Sequence, residues 1–394
     1  MTTDIVTPDP KMPTRIAGLT QLGTLTEVIQ RYATARNYAD GAATSQLSPY
    51  LRRRLVLEEE VLSFARSVGS FSQVEKFAQE VVWRTYWKGW LEARPSVWQA
   101  YLTQLQTLGD TLATSDRERL ACAIAGTTDL PYFNAWCHEL TSTGYLHNHV
   151  RMWFASVWVF TLQLPWQLGA RFFLDHLLDG DPASNTLSWR WVAGLQTPGK
   201  HYLARAENIV KYTNGRWAPK AGELNESARS LLDDGLSRAS SAMPACGPDV
   251  DAVQPRAVLL HDEDCGPLPD DWAGVPAVRF AVATRPHHSP SQLVDAWVAG
   301  TCADADSRAG AVSHASHVEQ VADWCRSNGP VELWAVRPLT GFVAAALADL
   351  SVGLATNGVK LRYAERGHDL TFFPFATKGF FPFWNAAAGV LRKQ

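Results

Sequence analysis

The chain has 394 residues, which is long for one hydrophobic core, so we expect two domains. Its formal net charge at pH 7 is −3, and its one tight basic cluster, residues 52–54, is more typical of a solvated helix end than of a nucleic-acid surface. The sequence lacks an apolar stretch of about 18 residues, a secretory signal and any C-x-x-C pair among its six cysteines. We therefore predict a cytoplasmic protein with free thiols, no metal site and no membrane partner.

The first half of the chain has the apolar spacing of a helical domain. We expect residues 1–19 to be a flexible tail and residues 20–220 to form the domain itself. Within it, apolar residues recur every three or four positions over residues 59–68, 74–91 and 146–162, which is the period of an amphipathic helix. A further short helix is predicted over residues 50–57.

The second half has a different pattern. Residues 221–255 are rich in Ala, Ser, Asp, Gly and Pro, so they read as a linker with at most a short helix at residues 227–236. Residues 256–394 alternate short apolar runs with helical segments, which predicts a smaller α/β domain with a parallel, Rossmann-like sheet. The strand candidates are residues 257–260, 278–282, 331–336 and 360–363, and the helix candidates are residues 290–298, 317–327 and 341–350. No G-x-G-x-x-G follows any of these strands, so a dinucleotide fingerprint is absent.

Three groups of residues in the helical domain have the composition of a binding site. The first places the hydroxyls of Thr44, Ser45 and Ser48 just before a predicted helix, with Tyr32 and Arg36 upstream. Hydroxyls and backbone N–H groups in this position bind anions, although the same residue types also serve as simple N-caps.

The second group lies on one face of a predicted helix, where Glu80, Trp83, Arg84 and Trp87 are three or four residues apart. A carboxylate beside indoles suits a flat aromatic ligand that is held by stacking and hydrogen bonding. The alternative is a Glu80–Arg84 pair on the surface above core tryptophans.

The third group places Asn148 and Arg151 on an apolar helix and follows them, some thirty residues later, with Asp179 and Asp181. Charged groups among apolar residues are costly unless they are paired, so we expect Arg151 and Asp179 to form a buried pair that closes on a cofactor. A Trp-rich core with one internal ion pair explains the same pattern. The later segment also holds Asn185, Trp189 and Trp191.

In this order, the three groups resemble the FAD-binding helical domain of the photolyase/cryptochrome family over roughly residues 32–217. The matching segments are TSQLSP (44–49), EVVWRTYW (80–87), STGYLHNHVRM (142–152) and DGDPASNTLSWRW (179–191). Four motifs in register are far more specific than any one of them alone.

The resemblance implies a noncovalently bound FAD and a role for each matching residue. The residues that would hold its phosphates are Tyr32, Thr44, Ser45, Leu47, Ser48 and Arg84. The residues that would line the flavin and the ribose are Asn148, Arg151, Asp179, Asp181 and Asn185. The residues that would contact a pyrimidine dimer are Glu80, Trp83, Asn148, Met152 and Trp191. Two members of an electron-transfer chain would be Trp166 and Trp189.

The chain also departs from the family pattern. The outermost tryptophan of the electron-transfer chain is expected near residues 112–113, where none occurs, and Trp136 or Trp158 are the candidates to replace it. In the family an α/β antenna domain precedes the helical domain, whereas the α/β pattern here follows it. Because residues 378–393 resemble the segment that ends the antenna domain, we interpret the chain as a circularly permuted member with an antenna-like C-terminal domain.

What the resemblance implies about function is a photolyase-like enzyme, in which light drives an electron from reduced FAD to a pyrimidine dimer in damaged DNA. Two alternatives are a cryptochrome-like blue-light photoreceptor with a signalling partner, and a flavoenzyme that acts on a small molecule. Weak basic character favours the photoreceptor, and the retained dimer-contacting residues favour the enzyme.

Overall fold

The computed structural model describes residues 12–41, 43–239, 243, 246–282 and 284–393. Its first domain is helical, as the apolar spacing predicts. The helices are α1 (Arg15–Gly23), α2 (Thr26–Ala35), α3 (Ser48–Arg52), α4 (Glu58–Val68), α5 (Phe71–Glu92), α6 (Pro95–Thr111), α7 (Thr114–Ala125), α8 (Pro131–Thr143), α9 (Asn148–Ser156), α10 (Trp166–His176), α11 (Pro182–Ala193) and α12 (Ala206–Tyr212). Helix α9 continues into one π-helical turn, Val157–Thr161.

The second domain is a parallel α/β sheet, so the predicted fold class is confirmed. Its strands are β1 (Val258–Leu260), β2 (Ala277–Phe280), β3 (Val312–Ala315), β4 (Glu332–Val336) and β5 (Lys360–Ala364). Its helices are α13 (Gln292–Ala309), α14 (Val318–Asn328), α15 (Phe342–Thr356), α16 (Gly367–Phe372) and α17 (Phe380–Leu391). The strand order is β3-β2-β1-β4-β5 and every pairing is parallel, with Val258 opposite both Ala277 and Trp334.

Helix α5 is the centre of the helical domain. A capping box starts it, in which the Gln73 side chain accepts from the backbone N–H of Ser70 at 2.8 Å. The helix packs against α2, α4 and α11 on the helical side and against α16 and α17 from the second domain. One continuous apolar core therefore joins the two domains, since it includes residues of α5 together with Phe380, Phe383 and Trp384 of α17.

Several local predictions are wrong for identifiable reasons. Residues 15–19, assigned to a flexible tail, form the start of α1, while residues 1–11 lie outside the described part. The helix predicted over residues 50–57 ends at Arg52, because Arg54 adopts a left-handed φ of 57° that an α-helix does not tolerate. Strand β3 was not predicted, because Ser313 and His314 are polar and exposed and only Ala315 is buried.

The helix considered for residues 227–236 is absent from the structure, and this stretch is held against the helical domain instead. The backbone N–H of Leu231 donates to the carbonyl of Ala193 at 3.0 Å, and Asp234 pairs with Arg190 at 2.6 Å. These contacts satisfy polar groups that a helix would otherwise satisfy within itself.

The basic run at residues 52–54 is not a solvated helix end. All three arginines are buried, and they pair across the domain interface with an acidic run after β1. Arg52 pairs with Glu263 at 2.6 Å, and Arg53 pairs with Asp262. Complementary charge runs therefore hold the two domains in one orientation.

Candidate functional site

The centre of the candidate site is a buried ion pair between α9 and the segment before α11. Arg151 donates from Nη2 to Asp179 Oδ2 at 3.0 Å and from Nε to the Leu146 carbonyl at 2.8 Å. Burial raises the pKa of Asp179, but Arg151 and Arg84 outweigh this effect and hold it below its ordinary value. Asp179 is therefore a buried carboxylate that keeps its charge, as the sequence pattern anticipated.

Asp181 has a structural partner in the same segment. Its carboxylate accepts from the backbone N–H of Ser184 at 2.7 Å and so caps α11, and its second oxygen lies 3.7 Å from Arg52 Nε. Burial raises the pKa of Asp181, while Arg52 and Lys88 together hold it below its ordinary value. The side chain thus links α11, the basic run and α5.

The segment before α3 brings hydroxyls to this centre. Thr44 donates to the carbonyl of Gly41 at 3.0 Å, and Ser45 Oγ accepts from the backbone N–H of Leu47 at 3.3 Å. Ser48 starts α3, and its hydroxyl lies beside the Asp179 carboxylate. The segment is therefore part of the same site as Arg151, even though more than a hundred residues separate them.

Glu80 on α5 forms an ion pair with Arg36, at the end of α2. The alternative pairing with Arg84 is wrong, because Arg84 points toward Asp179 and Asp181 instead. Burial raises the pKa of Glu80, and Arg36 only partly offsets that effect. Tyr32 lies beside the pair, with the Arg36 guanidinium 5.9 Å from its ring centroid.

Two tryptophans assigned to a substrate surface have stacked aromatic neighbours. Trp83 stacks on Phe380 of α17, with ring centroids 3.3 Å apart and planes within 6°. Trp191 stacks on Tyr202 at 5.8 Å. Asn148 is exposed as the first residue of α9, and Met152 is half-buried one turn later.

The residues assigned to the flavin and to electron transfer on α10 and α11 are buried. Asn185 donates from its side chain to the carbonyl of Ala170 at 2.8 Å. Trp189 packs edge-on against Phe173 at 5.1 Å and against Trp158 at 6.1 Å. Trp166 stacks on Tyr101 at 5.8 Å, and no ring contact joins it to Trp189 among the described residues. Trp158 is thus the tryptophan in ring contact with Trp189.

The centre of the site holds buried polar atoms that lack hydrogen-bond partners. They are Arg84 Nη1 and Asp179 Oδ1. Each such atom costs about 1–3 kcal/mol when it is left unpaired. A guanidinium and a carboxylate, with the Ser48 hydroxyl beside the carboxylate, suit a polar ligand with phosphate and ribose groups, so the residues present fit FAD.

Two residues of this site were missed by the sequence analysis. Lys88 is buried four residues after Arg84, and burial lowers its pKa in spite of Asp181 and Glu58 nearby. Its i+4 spacing from Arg84 is a signal that could have found it. Phe380 had no such signal, because nearly 300 residues separate it from Trp83.

A separate small cavity lies at the carboxyl edge of the sheet, between β1 and β4 where the strand order reverses. It is lined by Arg53, Asp262, Arg285 and His288 among others, and its volume is about 20 Å³. His288 also bridges Asp175 at 2.9 Å and the hydroxyl of Tyr101 at 3.2 Å. A space of this size holds about one water molecule.

Other sites are not indicated by the described residues. They contain no cluster of three or more His, Cys, Asp or Glu side chains with the geometry to hold a metal ion. Within the same ranges, each helix is too short or too polar to cross a bilayer.

The helical domain is the part of the chain that a family sequence model matches. Residues 77–218 match the sequence model described as the FAD-binding domain of DNA photolyase. The deoxyribodipyrimidine photo-lyase of Streptomyces griseus is 34% identical over 232 residues, which cover 55% of this chain and 48% of that protein. The protein of the same name from Agrobacterium fabrum is 31% identical over 247 residues, 59% of this chain and 50% of the relative. The chain thus spans about half the length of the curated relatives it matches.

Solved structures also resemble this chain over about half of its length. A bacterial class III photolyase from Agrobacterium tumefaciens is 24% identical with a TM-score of 0.43, over 51% of this chain and 43% of that one. A Synechocystis cryptochrome is 24% identical with a TM-score of 0.42, over 50% and 43%. The sequence matches therefore show that the helical domain is similar to the FAD-binding domain of DNA photolyase.

Proposed function

We propose that this chain binds FAD in its helical domain and repairs a pyrimidine dimer in DNA under light. The single observation that carries the proposal is the buried centre in which Arg84, Asp179 and Arg151 meet with polar atoms left unpartnered. Arg84 would hold phosphate, with help from the hydroxyls of Thr44, Ser45 and Ser48, while Asp179 and Asp181 would hold ribose and flavin groups. When bound, FAD supplies an excited-state electron that the protein's own side chains do not have.

The chain's own residues would bind and orient the lesion. Glu80 forms an ion pair with Arg36, and its carboxylate would accept a hydrogen bond from a pyrimidine N–H group. Trp83 and Trp191 offer indole faces for stacking, and Asn148 and Met152 lie on the adjoining turn of α9. A damaged base leaves the duplex stack more easily than a sound one, which would favour its entry.

Replacing Glu80 by Gln tests the proposal. We expect the E80Q protein to keep its FAD, because Glu80 lies outside the Arg84–Asp179 centre. Repair of a dimer-containing oligonucleotide under blue light should fall by about tenfold, since a hydrogen bond to a charged group is worth about 1.5–3 kcal/mol and the neutral amide loses that charge. The measurement combines an absorption spectrum of the purified protein with the rate of dimer loss.

A matched control for this test is Glu75→Gln. Glu75 lies on the same helix and faces Arg392 at 3.6 Å, away from the site. Its repair rate should equal that of the original protein. A colourless protein that refuses added FAD would refute the cofactor assignment, and unchanged repair in E80Q would refute the role of Glu80.

The photoreceptor alternative has one supporting observation, the net charge of −3. A repair enzyme that neutralises several phosphates loses duplex affinity steeply as salt rises. A photoreceptor would bleach reversibly under blue light without such an affinity. Binding of damaged duplex between low and moderate salt therefore separates the two functions.

We also propose that the domain order is circularly permuted relative to the family. Both ends of the described chain lie along α4: Arg15 donates to Glu60 at 3.0 Å, and Arg66 donates to the Leu391 carbonyl at 3.1 Å. Six residues of helix separate these two contacts, which is about 9 Å. A short connection between the ends would give the opposite domain order on the same fold.

A further inference from the structure

One face of Trp83 is covered by a ring from the other domain. Phe380 lies parallel to the indole, with centroids 3.3 Å apart and planes within 6°, so the two rings overlap almost fully. No third ring can enter on that side. Trp83 nevertheless keeps partial exposure, while Phe380 is only 5% exposed. A planar ligand therefore cannot stack on the face that Phe380 covers. Trp83 also contacts Tyr86 edge-on at 5.5 Å and Trp87 at 5.4 Å.

Phe380 is itself held firmly by α5. The hydroxyl of Tyr86 donates to the Lys378 carbonyl at 3.0 Å, and Arg94 donates to the Thr377 carbonyl at 2.9 Å. Tyr86 also packs edge-on against the Phe380 ring at 5.5 Å. Gly89 allows this approach, since a Cβ there would lie 2.9 Å from the ring of Phe373. The second domain thus presents Phe380 to α5 through several independent contacts.

We propose that Phe380 is the positioning residue that fixes the plane of Trp83 and so sets the one face on which a pyrimidine base stacks. The inference rests on the proposed function, since it assigns Trp83 to base stacking. A side chain that is already ordered loses less conformational freedom when a ligand binds. The α/β domain would therefore contribute to substrate affinity without touching the substrate.

The test compares three replacements at position 380 in the FAD-loaded protein. Phe380→Tyr keeps an aromatic ring, Phe380→Leu keeps apolar volume without the ring, and Phe380→Ala removes both. We expect Leu and Ala to weaken binding of a single-stranded dimer-containing oligonucleotide by about fivefold, the lower range for one base–aromatic stack. The Tyr variant should bind as the original protein does.

The control is Phe381→Ala, because Phe381 is the next residue along and its side chain is 71% exposed. It should leave binding unchanged. A positioning role further predicts that the Leu variant raises KM for repair while repair per absorbed photon at saturating substrate stays the same. A general loss of structure would lower FAD content as well. Leu and Ala variants that hold FAD and bind the dimer normally would overturn the proposal.

A double-mutant cycle with Trp83→Ala separates this proposal from the proposed function. If Phe380 acts through Trp83, removal of its ring should have no further effect once Trp83 is gone. Additive losses in the two variants would overturn the positioning role. If Trp83→Ala itself leaves dimer binding intact, base stacking at Trp83 is wrong and the role of Phe380 falls with it, while FAD binding and repair remain to be judged by the Glu80 variant. An effect at Trp83 alone removes only the role of Phe380.

Discussion

The buried charged side chains of the candidate site have partners of opposite charge. Asp179 is 6% exposed and keeps its carboxylate because Arg151 and Arg84 lie beside it. The same pairing leaves Asp179 Oδ1 and Arg84 Nη1 unsatisfied. Such an arrangement is stable only if the remaining interactions of the fold offset it, which is typical of a preformed polar ligand site.

His147, at the start of α9, is another buried titratable side chain that has hydrogen-bond partners. Its Nδ1 accepts from the backbone N–H of His149 at 3.1 Å, and its Nε2 lies 3.1 Å from the Arg36 carbonyl, to which it donates. Both ring nitrogens are therefore used by the neutral imidazole. Burial, with lesser effects from His149 and Arg151, lowers the pKa of His147 from 6.5 to about 4.

This depressed pKa predicts a loss of stability in mild acid. Between pH 6.5 and 4 the unfolded chain binds a proton at His147 that the folded chain refuses, so the free energy of unfolding falls as pH falls through that window. At pH 5 the loss is about 2 kcal/mol. His147→Asn keeps a capping acceptor without the titration, and urea unfolding at pH 7.5 and 5.0 should show a smaller difference between the two pH values for this variant. Equal differences would contradict the assignment.

Some contacts of the site can be predicted from the sequence, whereas others depend on how distant segments pack. Arg151 and Asp179 could be paired from the sequence because isolated opposite charges among apolar residues need partners. The partner of Glu80 could not, because the i,i+4 spacing indicated Arg84 and only the packing of α2 on α5 selects Arg36. Phe380 could not be found at all, since its contact requires the docking of two domains.

At the scale of elements, close packing of α10 against α11 depends on one glycine. A Cβ added at Gly169 would lie 2.5 Å from Trp189 Cζ3 and 3.0 Å from Trp158 Cε2. Both rings are almost fully buried, so neither has room to withdraw. The two helices can therefore approach this closely only because residue 169 has no side chain.

Gly169→Ala should consequently destabilise the protein although Ala is the better helix former. We expect a loss of about 1–3 kcal/mol from overpacking, together with a changed near-ultraviolet circular dichroism signal from the displaced indoles. Gly109→Ala is the matched control, because a Cβ at that helical position meets nothing within 4 Å. It should stabilise the protein by about 0.5–1 kcal/mol. If Gly169→Ala unfolds at a higher temperature than Gly109→Ala, the proposed overpacking at residue 169 is wrong.

Helices and strands with a clear apolar pattern could be predicted from the sequence. The prediction failed where backbone geometry ends an element or where a strand is exposed. Strands β1, β2, β4 and β5 were predicted within about three residues because they are apolar runs. Strand β3 lies at the sheet edge, where polar residues such as Ser313 and His314 remain exposed and the pattern disappears. Helix α3 is short because Arg54 has positive φ, which composition does not reveal.

At the scale of the whole molecule, charge and apolar packing fix the domains together. Arg54 is 4% exposed and pairs with Asp369 and Asp264, while Arg366 also reaches Asp264 at 2.7 Å. Removal of one member would leave the others buried and unpaired, at a cost of about 3–5 kcal/mol. The apolar core is also continuous across the same interface, so we expect the fold to form whichever domain comes first along the chain.

This expectation can be tested by building a chain with the opposite domain order. Fourteen residues precede Arg15 and three follow Leu391, and 17 extended residues reach about 55 Å. We therefore expect a chain whose ends are fused directly, and which is opened within residues 240–245 of the linker, to fold.

The chain with the opposite domain order should bind FAD as the original does and unfold within a few degrees of the same temperature. A second permutant opened at Gly180 is the control, because that position lies in the buried connection that places Asp179 and Asp181. It should lose FAD and unfold at lower temperature, since the opening frees the two carboxylates from their partners. Failure of the linker-opened chain to fold, while the Gly180 permutant folds, would show that the present order of domains is required and would refute the permutation.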